Sequence, residues 1–167
     1  GFDVSAADRH VQEHKTLKDF AQGERVKPED FLSLPCDVLV PAAVERVIDA
    51  SQAATLRCRV LAEAANGPTT PEADELLDQR REEIFVIPDV LCNAGGVITS
   101  YFEWVQDMQS LFWTDIEMTD RLYRILDTAF NAVIKRSKER KVANRTAAMA
   151  IGIERVLEAK RDRGLFP

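Results

Sequence analysis

The sequence lacks the features that mark several whole classes of protein. It has three cysteines, an odd number without CxxC spacing, which argues against a disulfide framework or a cysteine zinc site. No apolar run approaches the roughly 20 residues of a membrane-spanning helix, and nothing at the start resembles a signal peptide. These absences favour a cytosolic protein with reduced thiols, at Cys36, Cys58 and Cys92.

The chain also lacks concentrated positive charge. Its 22 lysines and arginines are scattered among 28 acidic residues, and the net charge is −6. Nucleic acids and anionic membranes need a basic face, so neither is expected as a partner. Because 46% of the residues are hydrophobic, 167 residues are enough for one domain with a real core.

Three short apolar runs, at residues 33–43, 59–65 and 83–88, are separated by amphipathic helical patterns. Non-alternating runs of this kind predict parallel strands joined by crossover helices, and therefore an α/β fold. Thr70 followed by Pro71 predicts the start of the second crossover helix. The first crossover helix is expected over residues 44–57, with four residues on one side: Val44, Val47, Ile48 and Ala54.

From Gly95 onward the pattern predicts only helix. Thr114 and Glu117 form a capping-box pattern, and the last helix is expected to begin at a capping Asn144 and to end at Gly164. The helix after Thr114 is predicted to bury Leu122, Ile125, Leu126, Ala129 and Val133.

Three loops rich in small residues follow the predicted strands. They contain Ala42 and Ala43, then Asn66, then Asn93 before a Gly-Gly pair. The carboxyl ends of parallel strands share one edge of a sheet, which is where ligands bind in such folds. Each loop by itself is as compatible with a plain turn, but three on one edge, two with an asparagine, favour a site.

Val97 and Ser100 are spaced three apart in the helix after that third loop, so a methyl group and a hydroxyl would share one helix face. A serine at this position is otherwise a solvated bystander. The segment HVQEH, with His10, Glu13 and His14, matches an HxxEH zinc pattern, but it is polar all round and lacks a further acidic ligand. We therefore predict no metal site.

Four blocks resemble one known family. They are CDVLVPAAVERVI, AANGPTTPEAD, PDVLCNAGGVITSYFEWVQ and RTAAMAIGIERV, and they look like the C-terminal, cofactor-domain part of glutamate dehydrogenases within the Glu/Leu/Phe/Val dehydrogenase family. The resemblance implies a partial Rossmann-like parallel sheet followed by long C-terminal helices. It implies a cytoplasmic oxidoreductase interconverting L-glutamate with 2-oxoglutarate and ammonium, with NAD or NADP as cofactor, and a hexameric homo-oligomer.

The resemblance also implies roles for the loop residues. Ala42 and Ala43 would lie along the adenosine half of the cofactor, and Asn66 and Asn93 would contact its nicotinamide-ribose half. The pocket for the side-chain carboxylate of the substrate would be lined by Val97 and Ser100, the serine through a hydrogen bond.

The family's Gly-rich turn is missing, because the seven glycines form no GxGxxG. The chain opens at Gly1 without methionine, and GFDVSAAD looks like the interior of a longer sequence. We therefore expect a fragment, inactive by itself, in which residues 1–112 are the second half of a dinucleotide-binding domain and residues 113–167 are helices packing back on it. Two alternatives stay open: a non-catalytic regulatory subunit, and a free-standing small-molecule binding domain, which would have an exposed sheet edge.

Overall fold

The computed structural model describes residues 1–164 and has the predicted α/β architecture. The chain divides into two compact units, Gly1–Leu32 and Ser33–Pro167. The first unit contains helices α1 (Val4–His14) and α2 (Pro28–Phe31). Asp3 begins α1, because its carboxylate accepts a hydrogen bond from the backbone N–H of Ala6 at 3.1 Å.

The second unit is built on three parallel strands in the order β1-β2-β3, which confirms the predicted sheet. The strands are β1 (Cys36–Leu39), β2 (Cys58–Ala62) and β3 (Phe85–Ile87). Strand β2 is central, and its Leu61 is completely buried, in register with Leu39 and Val86.

Helices connect the strands and complete the second unit. They are α3 (Ala50–Thr55), α4 (Pro71–Gln79), α5 (Asp89–Cys92), α6 (Gly95–Gln109), α7 (Asp115–Arg140) and α8 (Asn144–Arg163). Thr70 caps α4 through the N–H of Ala73, and Thr114 and Glu117 form a reciprocal capping box at α7. Both predicted helix starts are therefore confirmed.

The first crossover helix is shorter than predicted. It begins at Ala50 and not at Val44, because Asp49 and Gln52 form a capping box that ends the preceding loop. Ile48 lies in that loop, where it makes an isolated parallel bridge with Thr69 and is fully buried. Val44 is 59% exposed and Ala54 is also exposed, so the predicted apolar side does not exist as one helical face.

Two expectations for the C-terminal helices are wrong in detail. Ala143, not Asn144, is the residue before α8, since the Asn144 amide instead donates to the carbonyl oxygen of Val86 at 2.8 Å. On α7, Val133 is buried but Ile125 is 43% exposed. Helix α7 has 26 residues, and with a rise of about 1.5 Å per residue it extends beyond the three strands. The described part of the chain therefore does not cover all the apolar side chains of α7.

The first turns of α8 pack on α5, α7 and β3, where Ala147 joins Leu91 and Val133 in a small apolar cluster. Gly164 ends α8 as predicted. None of the helices within residues 1–164 is both long and apolar enough to cross a membrane.

Candidate functional site

The loops that follow β1 and β2 lie side by side at one edge of the sheet, joined by backbone hydrogen bonds. The N–H groups of Arg46 and Ile48, in the first loop, donate to the carbonyl oxygens of Gly67 and Pro68, in the second, both at 2.8 Å. The carbonyl oxygen of Pro41 accepts hydrogen bonds from the loop after β2 as well. These two loops therefore meet as predicted, whereas the third predicted loop does not follow β3 directly, because the short helix α5 lies between β3 and Asn93.

Asn66 and Asn93 are in direct contact. The Asn93 side-chain amide donates to the Asn66 side-chain oxygen at 2.6 Å, which connects the second loop to the third. This bond leaves the amide N–H₂ of Asn66 and the carbonyl oxygen of Asn93 for other partners. The asparagine pair therefore presents a donor and an acceptor together at the loop edge, a set that fits a carboxamide or a sugar hydroxyl.

Helix α6 begins two residues after Asn93, and no side chain caps it. Its first backbone N–H groups are thus left for an outside acceptor, as is general for an uncapped helix start. Val97 is 71% exposed and Ser100 is exposed on the same helix. Within residues 1–164 no group hydrogen-bonds the Ser100 hydroxyl, whereas the neighbouring Thr99 hydroxyl bonds to the carbonyl oxygens of Gly95 at 3.1 Å and Gly96 at 2.9 Å.

Ala42 and Ala43 are exposed directly after the buried Pro41. They share the sheet edge with the asparagine pair, but no hydrogen bond within residues 1–164 joins them to it. Because their side chains are short, the backbone that follows β1 is accessible at this edge.

An ion cluster that the sequence reading did not identify lies beside these loops. It consists of Arg145 on α8 and three carboxylates: Glu63, Asp74 and Asp89. The guanidinium contacts Asp74 at 2.9 Å and Asp89 at 2.8 Å, and it contacts both carboxylate oxygens of Glu63 at 2.6 Å. Glu63 follows the buried strand β2, and a buried carboxylate needs a nearby cation. This position was the one feature of the sequence that could have indicated an ion cluster here.

Arg145 keeps its positive charge in this cluster. Burial alone lowers the pKa of Arg145, but the attraction and hydrogen bonds of Glu63, and then of Asp74, outweigh burial and raise the pKa above its ordinary value. Burial, followed by the negative charges of Glu63 and Asp89, raises the pKa of the nearby Cys92 thiol. At neutral pH Cys92 is therefore an uncharged thiol next to Asn93.

Two other features lie away from the loops. A groove of about 460 Å³ lies between α4, β3 and the turn from α7 to α8, and none of the predicted ligand residues lines it. The His10 and His14 rings stack on each other at 4.3 Å, and each hydrogen-bonds a backbone carbonyl oxygen. Among residues 1–164 no three His, Cys, Asp or Glu side chains converge so as to hold a metal ion.

A parallel sheet with helical connections and loops that meet at the carboxyl ends of its strands defines an α/β protein of the class that places ligand sites at this edge. The family model described as Glutamate/Leucine/Phenylalanine/Valine dehydrogenase matches residues 1–164. The chain therefore belongs to the Glu/Leu/Phe/Val dehydrogenase family.

Individual relatives agree with this assignment. The chain is 47% identical to a glutamate dehydrogenase of Thermotoga maritima over all 167 residues, which is 40% of that protein. It is 44% identical over 141 residues to an NAD-specific glutamate dehydrogenase of Staphylococcus aureus, covering 84% of this chain and 34% of that protein. The chain thus spans about two fifths or less of the length of these curated relatives.

Solved structures show the same fold. The chain matches a hetero-hexameric glutamate dehydrogenase from Thermus thermophilus, in a leucine-bound form, with a TM-score of 0.86 and 32% identity. That match covers 100% of this chain and 39% of the other. A glutamate dehydrogenase from Peptoniphilus asaccharolyticus matches with a TM-score of 0.78 and 32% identity, covering 99% of this chain and 36% of the other.

Proposed function

We propose that this chain is the C-terminal part of a cytoplasmic glutamate dehydrogenase. Such an enzyme interconverts L-glutamate with 2-oxoglutarate and ammonium, using NAD or NADP. The observation that carries the proposal is the asparagine pair at the start of α6, with Val97 and Ser100 exposed farther along the same helix. Relatives named glutamate dehydrogenase, one of them NAD-specific, support the substrate and the cofactor class. We also infer a hexameric homo-oligomer, a size supported by the hetero-hexameric Thermus relative.

We propose for the residues the roles that the family resemblance implies, with which their chemistry is compatible. Ala42 and Ala43 leave room for the adenosine half of the nucleotide, while Asn66 and Asn93 offer a donor and an acceptor to its nicotinamide-ribose half. The nicotinamide ring, when bound, supplies the hydride acceptor for glutamate oxidation. Val97 and Ser100 hold the side-chain carboxylate of glutamate, Val97 by contact and Ser100 by donating a hydrogen bond.

Asn93 lies just before α6 and Ser100 lies seven residues later, within α6. We infer that these two residues together set the positions of the two reactants relative to each other. Alignment of the α-carbon with the ring is the contribution that such a scaffold makes to hydride transfer. We assign residues 1–112 to the second half of the dinucleotide-binding domain and residues 113–167 to a helical segment that packs back on it.

Ser100→Ala, introduced into the longer protein that contains this chain, is expected to raise the KM for glutamate by about tenfold or more. The reason is the loss of a hydrogen bond to a charged group, which contributes about 1.5–3 kcal/mol. Steady-state kinetics at saturating nucleotide measure the effect, and the KM for nucleotide should stay within about twofold.

Thr99→Val is the matched control, since it removes the neighbouring hydroxyl, which is bonded to its own helix. An unchanged KM for glutamate in Ser100→Ala, or an equal rise in Thr99→Val, would contradict the role of Ser100. A protein with glutamate affinity but no turnover would support the regulatory-subunit alternative.

The 167-residue chain by itself is expected to show no glutamate-dependent reduction of NAD or NADP, because its seven glycines form no Gly-rich turn for the nucleotide diphosphate. The measurement is absorbance at the reduced-nicotinamide band, with the longer protein as the positive control. Any glutamate-dependent signal from the short chain would refute the proposal that it is an inactive part.

A further inference from the structure

Asp89 is the residue through which the ion cluster reaches the asparagine pair. One oxygen of its carboxylate accepts from Arg145 at 2.8 Å, and the other accepts from the backbone N–H of Gly67 at 2.8 Å. Gly67 is adjacent to Asn66, and its φ of +52° is a conformation that favours glycine. A single carboxylate thus connects α8 to the backbone that carries Asn66.

The backbone of the same residue also contacts the other asparagine, at the end of α5. The carbonyl oxygen of Asp89 accepts from the backbone N–H of Asn93 at 3.1 Å, and the Asn93 side chain returns to Asn66 at 2.6 Å. Asp89, Gly67, Asn66 and Asn93 therefore form a closed ring of covalent and hydrogen bonds. Rotating either asparagine requires at least one bond of this ring to break.

Glu63 supports the ring from beneath. Its side chain is fully buried, and its carboxylate accepts from the backbone N–H of Asp89 at 2.9 Å and from the Thr69 hydroxyl at 2.6 Å. Arg145 neutralises this carboxylate while it holds Asp89. Charge-assisted bonds of this kind are stronger than neutral ones and fix the geometry of both partners.

We propose that Asp89, held by Arg145, is a positioning residue that fixes the asparagine pair for the nicotinamide half of the nucleotide. This inference rests on the function proposed above. Asp89 contacts no ligand itself in this assignment, and its carboxylate acts through the backbone of Gly67, the neighbour of Asn66.

The competing explanation is that the cluster only stabilises the fold. Asp74 separates the two explanations, because its carboxylate contacts the same guanidinium at 2.9 Å but, within residues 1–164, accepts no hydrogen bond from Asn66, Gly67 or Asn93. Asp74→Ala and Asp89→Ala each remove one carboxylate from Arg145, and only the second removes an acceptor from Gly67.

The first experiment measures amide hydrogen exchange at Gly67 in the longer protein that contains this chain, by mass spectrometry of peptides that include Gly67. Asp89→Ala is expected to accelerate exchange at Gly67 at least about tenfold, because this exposed amide has lost its acceptor. Asp74→Ala should leave it within about twofold. If Asp89→Ala does not fold, Asp89→Asn, which keeps a weaker neutral acceptor, should give a smaller acceleration of about threefold.

The second experiment measures kinetics in the longer protein. Asp89→Ala should raise the KM for nucleotide at least about fivefold, with the KM for glutamate within about twofold, and Asp74→Ala should change neither. Asn93→Ala, run in parallel, tests the proposed function by itself, since it removes the ligand group and leaves Asp89 in place.

The outcomes are distinct. Unchanged exchange at Gly67 in Asp89→Ala, or equal acceleration in Asp74→Ala, overturns the positioning role. A raised nucleotide KM in Asn93→Ala but not in Asp89→Ala overturns it too, while the proposed function stands. If Asn93→Ala leaves the nucleotide KM unchanged, the proposed function fails, and the positioning role for that ligand fails with it.

Discussion

Arg145→Met is expected to lower the free energy of unfolding of the chain by about 3–5 kcal/mol, the range for removing one partner of a buried ion pair. Methionine keeps much of the side-chain volume but leaves the fully buried Glu63 carboxylate without its cation. Urea unfolding measures the loss as a lower midpoint at an unchanged m-value.

Arg136→Met is the matched control. Arg136, on α7, also binds a carboxylate through two bonds, to Glu154 on α8 at 2.7 and 2.8 Å. The Glu154 side chain is 58% exposed, however, so water replaces the lost partner and the destabilisation should be much smaller. Equal losses in the two variants would contradict the buried-charge explanation.

A double variant tests the cause directly. If the unpaired carboxylate is responsible, Glu63→Gln added to Arg145→Met should recover part of the lost stability, because it removes the uncompensated charge. No recovery would indicate that packing, and not charge, dominates at this position.

Leu61→Ala is expected to lower the free energy of unfolding by about 2–5 kcal/mol, since it leaves a cavity in the middle of the central strand. Leu61 has no exposed surface and has a neighbouring strand on each side. Val38→Ala is the control on the adjacent strand, where the side chain is 55% exposed and little apolar area is lost. Similar midpoints for the two variants in urea would contradict the assignment of the core to β2.

The sequence predicted those parts of the fold that depend on neighbouring residues. Thr70 with Pro71, and Thr114 with Glu117, form helix starts within four residues, so their pattern was sufficient. The same logic failed at Asn144, whose side chain is used by Val86, far away in the chain. A good capping residue predicts a cap only where no distant partner competes for it.

The candidate site divides in the same way. The meeting of the loops after β1 and β2 was predictable, because the edge at which parallel strands end follows from topology, but the short helix α5 before Asn93 was not predicted. The contact between Asn66 and Asn93 needed the structure, since it depends on how the second loop turns at Gly67. Arg145 was not predictable: Glu63 required a cation, but nothing local selects this one among 22 basic residues.

The order of formation of the site follows from the sequence distance between Arg145 and Glu63, which is 82 residues. The three strands are contiguous along the chain in their order in the sheet, so they can assemble while synthesis continues. Arg145 leaves the ribosome only after all of them. A nascent chain halted before α8 would therefore contain a paired sheet in which Glu63 and Asp89 still lack their cation, and the ion cluster would be among the last parts of the fold to form.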